Sequence, residues 1–244
     1  ALQGTVTGTL AATATTGGIT DSSNLSASGN VTLNDVATAG ITLGTLEADA
    51  NVILTAAGNT AITNDAALAL QGTVTGTLDA TATTGDITDS DALAVSGASV
   101  FTLGADGTNI TLDSAANAFS GAVTLKAGSS GGQTFGNIVF VDSGAIDFDS
   151  AASADGDLFL DGGTDNTVGG TLAVTATTGG ITDSATIAVT GNVTLNDVAT
   201  AGITLDTLEA DANVILTAAG NTAITNDAAL ALQGTVTGTL DATA

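Results

Sequence analysis

Four aspartates lie close together in one Gly-rich stretch of the chain, and carboxylate oxygens are the ligands that calcium prefers. The stretch reads Asp155-Gly-Asp-Leu-Phe-Leu-Asp-Gly-Gly-Thr-Asp165. It partly matches the Gly/Asp nonapeptides that bind Ca²⁺ between the turns of a β-roll, although the nonapeptide period does not continue. The candidate metal ligands are therefore Asp155, Asp157, Asp161 and Asp165. Diffuse screening of the acidic surface by cations is the alternative interpretation.

Two pairs of aspartates have the spacing of a possible polysaccharide-cleaving site. They are Asp147 with Asp149 and Asp155 with Asp157, and glycoside hydrolysis uses two carboxylates at a set separation. However, the chain has no His, Trp or Tyr, and Lys126 is its only basic residue. It therefore lacks imidazole for general acid–base catalysis, and it has none of the Trp or Tyr side chains that stack on sugars. We predict no catalytic residues and no bound organic cofactor, and a polysaccharide-active β-helix enzyme is the least favoured alternative.

The elements that would position these side chains are short strands. Apolar pairs alternate with Thr, as in Val31-Thr-Leu33, Ile41-Thr-Leu43 and Val193-Thr-Leu195, and this period of two predicts half-buried strands. Between them lie Gly-Asn, Asn-Asp and Gly-Gly pairs, which are typical of tight corners. Four such corner pairs are predicted to have a structural role: Asn34-Asp35, Asn64-Asp65, Asn196-Asp197 and Asn226-Asp227. No sustained helical period is present.

The chain also repeats itself almost letter for letter. Gly29–Ala82 recurs as Gly191–Ala244, offset by 162 residues, and Ala1–Ser22 recurs as Ala69–Ser90, offset by 68 residues. Such copies are typical of solenoids, in which equivalent units stack along one axis. If each offset spans whole turns, the two offsets contain seven and three turns of about 23 residues, ten together. The sequence therefore predicts an all-β parallel β-solenoid with roughly three short strands per turn.

The copies also predict how the chain is organised. The block that separates them contains all six Phe and the only Lys. Two longer corners are expected in it, at Gly128–Gly132 and Asp155–Gly170. We predict one continuous solenoid over 1–244, a window of a longer array, with a short repeat unit at 1–78, an inserted four-turn block at 79–172, and a near-copy of 11–82 at 173–244.

The charge balance restricts the partners of the chain. Its formal net charge is −24, from 25 acidic residues and one Lys. Such a surface repels phosphate backbones and anionic membranes, so we expect no nucleic-acid binding. No apolar run approaches the roughly 18 residues of a membrane span, and direct membrane insertion is not expected. The 43% hydrophobic content argues against disorder, and the absence of Cys agrees with a bacterial surface protein.

Two segments resemble repeats of a known family. Thr13-Ala-Thr-Thr-Gly-Gly-Ile-Thr-Asp-Ser22 and Gly191-Asn-Val-Thr-Leu195 are similar to repeats of filamentous-haemagglutinin-like adhesins and giant repetitive bacterial surface proteins. The resemblance covers the whole chain and rests on Thr, Gly, Ala and Asn richness and on turn length. It implies a right-handed parallel β-helix that is exported to the cell surface.

These observations favour an extracellular structural fibre or adhesin stalk of a bacterium. The expected partners are further turns, reached by end-to-end self-association or by continuation of the same chain, and cell-surface or polysaccharide contacts. The alternative is a ligand-binding adhesin with recognition in the 101–159 block, which alone breaks the monotony of the repeats.

Overall fold

The computed structural model describes residues 1–128, 133–162 and 166–244. Within these ranges the chain is all-β, and its parallel strands stack as a β-solenoid of about 11 turns with roughly 21 residues per turn. The predicted fold class is thus confirmed, with a turn slightly shorter than expected. No helix in the described ranges is long and apolar enough to cross a membrane.

The strands of the described residues form two parallel sheets that run the length of the solenoid. Sheet 1 has 15 strands: β1 Leu2–Val6, β3 Ile19–Ala27, β5 Ile41–Ala48, β7 Thr60–Asn64, β9 Leu78–Ala82, β11 Ser99–Leu103, β14 Val123–Ala127, β16 Ile146–Phe148, β17 Asp157–Asp161, β18 Thr167–Val168, β20 Ile181–Asp183, β21 Ile187–Val189, β23 Ile203–Ala210, β25 Thr222–Asn226 and β27 Leu240–Thr243. Sheet 2 has 12 strands: β2 Leu10–Ala14, β4 Val31–Asp35, β6 Asn51–Ala56, β8 Leu68–Val74, β10 Ile87–Val95, β12 Ile110–Leu112, β13 Ala118–Phe119, β15 Ile138–Asp142, β19 Leu172–Ala176, β22 Val193–Asp197, β24 Asn213–Ala218 and β26 Ala231–Val236.

Alternation of side chains along each strand builds the interior. In β4, Val31, Leu33 and Asp35 are buried while the residues between them are partly exposed, because successive side chains point to opposite faces of a sheet. Parallel register then stacks like on like, so that Val31 pairs with Val52, and Leu33 pairs with Leu54. The result is one thin, mostly aliphatic core along the axis.

Among the described residues the strands of every turn belong to two sheets, and some turns contain three separate short strands, as β19, β20 and β21 do. In other turns the third segment is the second half of a bent strand that stays within one sheet. In β5, Leu43 pairs with Ile62 and Leu46 pairs with Asn64, so the register shifts between them. Such a bulge places an extra residue in one strand and bends it. The same shift between Leu205 and Leu208 bends β23.

The expectation that every sequence copy spans whole turns is wrong for the 68-residue offset. Leu2–Val6 forms β1 in sheet 1, whereas its copy Leu70–Val74 lies in β8 of sheet 2. The offset therefore covers three and a half turns. By contrast, β4 and its copy β22 both lie in sheet 2, seven pairing steps apart. The same short segment fits either sheet because both sheets bury small aliphatic side chains against one narrow core.

Turns in the Phe-containing region are longer than elsewhere. Ile110 pairs with Ile138, and Ile138 pairs with Leu172, whereas Val31 pairs with Val52 in the regular part. Of the two predicted long corners, residues 129–132 and 163–165 lie outside the described residues. The predicted block boundaries at 78 and 172 remain predictions.

Candidate functional site

The three predicted calcium ligands that lie in the described residues have separate environments. Asp157 is buried, and its Oδ2 accepts hydrogen bonds from the Ser153 N–H and hydroxyl and from the Ala154 N–H. Asp161 lies 2.9 Å from the Lys126 ammonium. Asp155 is exposed, and Asp165 lies outside the described residues. Within the described ranges no group of three or more acidic side chains has the arrangement of a metal site.

The first aspartate pair considered for polysaccharide cleavage is engaged in structural hydrogen bonds. The Asp147 carboxylate accepts the Thr182 hydroxyl at 2.8 Å and the Ser184 hydroxyl at 2.7 Å, both from the next turn. Asp149 accepts the N–H and the hydroxyl of its neighbour Ser150. These contacts join turns or close corners. Each carboxylate therefore has a structural partner. That the chain has no catalytic residues stays a prediction.

The sequence patterns did not predict a set of hydrogen bonds in which an Asp carboxylate of one turn binds the next turn; we call these bonds carboxylate clasps. Asp21 Oδ2 accepts the Thr45 N–H at 2.7 Å and the Thr45 hydroxyl at 2.8 Å, while its Oδ1 accepts the Gly44 N–H at 3.1 Å. The Asp183 carboxylate likewise accepts the Asp206 N–H and both the N–H and the hydroxyl of Thr207. The available signal was the tetrapeptide Ile-Thr-Asp-Ser, which occurs at 19–22, 87–90 and 181–184. Its Asp joins one turn to the backbone of the next.

The copy of this tetrapeptide at 87–90 forms its clasp from sheet 2. The Asp89 carboxylate accepts the Asp113 and Ser114 N–H groups and the Asn117 side-chain amide. Asp89 belongs to β10 of sheet 2, whereas Asp21 belongs to β3 of sheet 1. The clasp is therefore a property of the tetrapeptide and not of one side of the rod.

Two buried amides confirm the structural interpretation of the Asn-Asp corners. The Asn64 side chain accepts the Ala48 N–H at 2.8 Å and donates to the Ala48 and Ala67 carbonyls at 3.2 and 2.7 Å. Its copy Asn226 accepts the Ala210 N–H and donates to the Ala210 carbonyl in the same way, but its third bond goes to the carbonyl of Ala228, one residue before the copy of Ala67. These side chains satisfy backbone groups at bends where the sheet ladder is interrupted.

Acidic residues at the corners and in the inter-turn contacts differ in their environments. Asp35 is buried, and its Oδ2 accepts the Gly40 N–H at 2.8 Å. Asp142 is also buried and accepts the N–H groups of Phe119 and Ser143. Burial raises the pKa of Asp142 by more than these hydrogen bonds lower it, and the charge of Asp155 adds to the increase. At Asp21, burial acts to raise the pKa, but the hydrogen bonds from Gly44 and Thr45 together outweigh it and lower the pKa.

We expect Asp142→Asn to stabilise the fold at pH 7 and Asp21→Asn to destabilise it. A raised folded-state pKa contributes stability at low pH that is lost as the pH rises through that pKa, whereas a lowered one contributes stability that is lost on acidification. Urea unfolding of both variants between pH 3 and 7 measures the two trends. The gain from Asp142→Asn should shrink toward pH 3, where Asp142 is protonated. A gain that is constant with pH would contradict the assignment.

Two equivalent clefts lie on the surface at the bends of sheet 1, each about 230 Å³ in volume. One is lined by Asn24, Gly44, Thr45, Glu47 and Asp65, among others. The other is lined by the residues at an offset of 162, including Thr186, Asp206 and Glu209. The one difference between the 54-residue copies, Gly44 against Asp206, therefore falls in this cleft and adds a carboxylate to its second occurrence.

The aromatic residues are largely unavailable to a ligand. Phe101, Phe119, Phe135, Phe140 and Phe148 are buried, and the rings of Phe119 and Phe140 stack with centroids 5.4 Å apart. They belong to the hydrophobic core of the rod. Phe159 is partly exposed on the outer side of β17. The 101–159 block therefore uses most of its aromatic side chains for packing.

Comparison with known protein families agrees with the repeat architecture. Residues 57–126 and 135–219 match a family described as repeats of unknown function (DUF5649). The chain belongs to this family. The DUF5649 match extends across the Phe-containing turns and into the second copy, so both kinds of turn fall within one repeat family. No curated protein and no solved structure matches the chain.

Proposed function

We propose that this DUF5649 chain is a stretch of an extracellular structural rod, the fibre or adhesin stalk of a bacterial cell surface. The observation that supports the proposal most directly is the unbroken parallel pairing through about 11 turns. Each turn docks on its neighbours, and nearest-neighbour stacking of this kind extends without limit. The rod is the functional product, and no catalytic residues are assigned to it.

The mechanical role follows from the direction of the hydrogen bonds. In a parallel solenoid the inter-strand N–H···O=C bonds run along the rod. Axial stretching is therefore opposed by the hydrogen bonds of all strands of a turn together. Carboxylate clasps such as Asp21 with Thr45 and Asp147 with Thr182 add side-chain links in the same direction. A rod with these links resists bending and extension, as a stalk requires.

The proposed partners follow from the same features. Further turns, from the same chain or from a second subunit, extend the rod end to end, and its sides contact cell-surface polysaccharide. The net charge of −24 disfavours nucleic acid and anionic lipid. Calcium acts in this proposal by screening the exposed carboxylates of the rod, Asp155 among them.

We expect aligned films of the chain to diffract at about 4.8 Å along the fibre axis, the separation of neighbouring strands. Antibodies raised against the chain should label extended structures on the outside of intact cells of the bacterium that encodes it. Permeabilised cells provide the control for antibody access. Absence of the axial reflection would contradict the rod, and labelling confined to permeabilised cells would contradict the surface location.

A further inference from the structure

The outer face of sheet 2 is almost free of charge, although the chain carries 25 acidic residues. Burial alternates along its strands, so that Thr32 in β4, Ile53 in β6 and Ile215 in β24 face outward and are partly exposed. The acidic residues of β4, β15 and β22 are Asp35, Asp142 and Asp197, and all three are buried. In the 12 strands of this sheet, the remaining acidic residues belong to the bend of β10.

The outer face of sheet 1 is charged by comparison. Its strands present partly or fully exposed ionisable side chains at many levels along the rod. They include Glu47, Asp79, Lys126, Asp161, Glu209 and Asp241. The charge of the chain is therefore concentrated on one side and on the corners, and it is not spread evenly around the rod.

The uncharged face is continuous in the direction of the rod axis. Thr111 pairs with Val139, Val139 with Ala173, Ala173 with Thr194, and Thr194 with Ile215. These outward residues form one column of methyl and hydroxyl groups over five successive turns. Such a column makes a flat surface because every member is held at the same depth by the sheet beneath it.

The size of this face matches that of a stable protein interface. About 11 turns at roughly 4.8 Å per turn give a height of about 50 Å, and a five-residue strand is about 16 Å wide. The face therefore offers about 800 Å², which is the area that each partner contributes to a standard interface.

We propose that two copies of the chain associate side by side through the outer faces of sheet 2. Two rods that each carry a net charge of −24 repel one another in most orientations. Repulsion is least when the uncharged faces meet and the acidic faces point away from each other. Apolar residues such as Ile53, Val139 and Ile215 are then removed from water, which supplies a driving force. The pairing does not depend on where the rod is located in the cell.

The test compares two triple-lysine variants that change the total charge equally. Ile53→Lys, Val139→Lys and Ile215→Lys place cations on the face of sheet 2. Ala61→Lys, Val100→Lys and Ala223→Lys place them at partly exposed outward positions of sheet 1. Sedimentation equilibrium and light scattering measure the mass of each protein, and circular dichroism confirms its strand content.

We expect the unmodified chain to form a particle of twice its 23.1 kDa mass, with pairing strengthened by NaCl because salt screens the remaining repulsion. The sheet 2 variant should dissociate at least about tenfold more readily, and the sheet 1 variant should pair as well as the unmodified chain or better. If the sheet 2 triple variant misfolds, Ala173→Glu alone provides the same comparison.

Several outcomes would overturn the proposal. They are a monomer at every concentration and salt, equal effects of the two triple variants, or a monomer that instead sediments with an insoluble polysaccharide through this face. Small-angle scattering from the same samples reports the elongated shape of each particle. Failure of pairing can thus be distinguished from failure of the rod.

Discussion

Replacing Gly72 with valine is expected to disrupt the pairing between β6 and β8. Gly72 has φ +114°, a region that side chains with a Cβ rarely adopt, and a Cβ at this position would press on the backbone carbonyl of Leu54 in the turn below. Backbone strain and overpacking together should cost roughly 3–5 kcal/mol. Hydrogen exchange of the amides in β6 and β8 measures the loss, because protection reports local opening.

The chain provides its own controls for this experiment. Gly234 is the copy of Gly72 at an offset of 162, has the same φ of +114°, and a Cβ there would press on the Leu216 carbonyl. Gly234→Val should therefore have the same effect on β24 and β26. Gly44→Asp should be nearly neutral, because Gly44 has open space and its copy is Asp206. Equal effects of Gly72→Val and Gly44→Asp would contradict a role for the contact with Leu54.

Replacing Asn64 with leucine is expected to cost about 3 kcal/mol or more. The leucine has a similar volume, but it cannot bond the Ala48 N–H or the Ala48 and Ala67 carbonyls. A buried polar group that loses its partner costs about 1–3 kcal/mol. The urea midpoint and the exchange rates of the amides in β5 and β7 are the measurements.

Asn34→Leu is the matched control for this substitution. Asn34 lies in β4 and points outward, where it is partly exposed, so its replacement should change stability by less than about 0.5 kcal/mol. A third variant, Asn226→Leu, removes the corresponding two bonds to Ala210 in the second copy, together with the bond to the Ala228 carbonyl. If Asn64→Leu and Asn34→Leu behave alike, the buried amide does not hold the bend.

Much of the fold could be predicted because the alternation of apolar residues with Thr is itself a strand signal. Val31, Leu33, Val193 and Leu195 are buried as the pattern predicts. The points at which the strands of a turn divide could not be read in this way. Whether Leu43 and Leu46 belong to one bent strand or to two depends on the bulge opposite Ile62 and Asn64, and a bulge leaves no distinctive residue in this sequence.

The candidate site was harder to predict than the fold. The density of carboxylates in the stretch at 155–165 favours a calcium site. In the structure Asp157 closes a local turn and Asp161 contacts Lys126. The inter-turn role of Asp21 depends on register, which places Thr45 beside it. Local spacing identifies residue types, whereas the partner of each residue is set by pairing across a whole turn.

The half-turn displacement of the 68-residue copy has a consequence for how such a gene can lengthen. A duplication must preserve the ladder, but it need not return the chain to the same side, since Leu-Gln-Gly-Thr-Val forms β1 in sheet 1 and part of β8 in sheet 2. Adding one such unit would rotate everything beyond it by 180°. Alleles that differ by a single unit would then display their distal surfaces in opposite directions, while their backbones stay equally well formed.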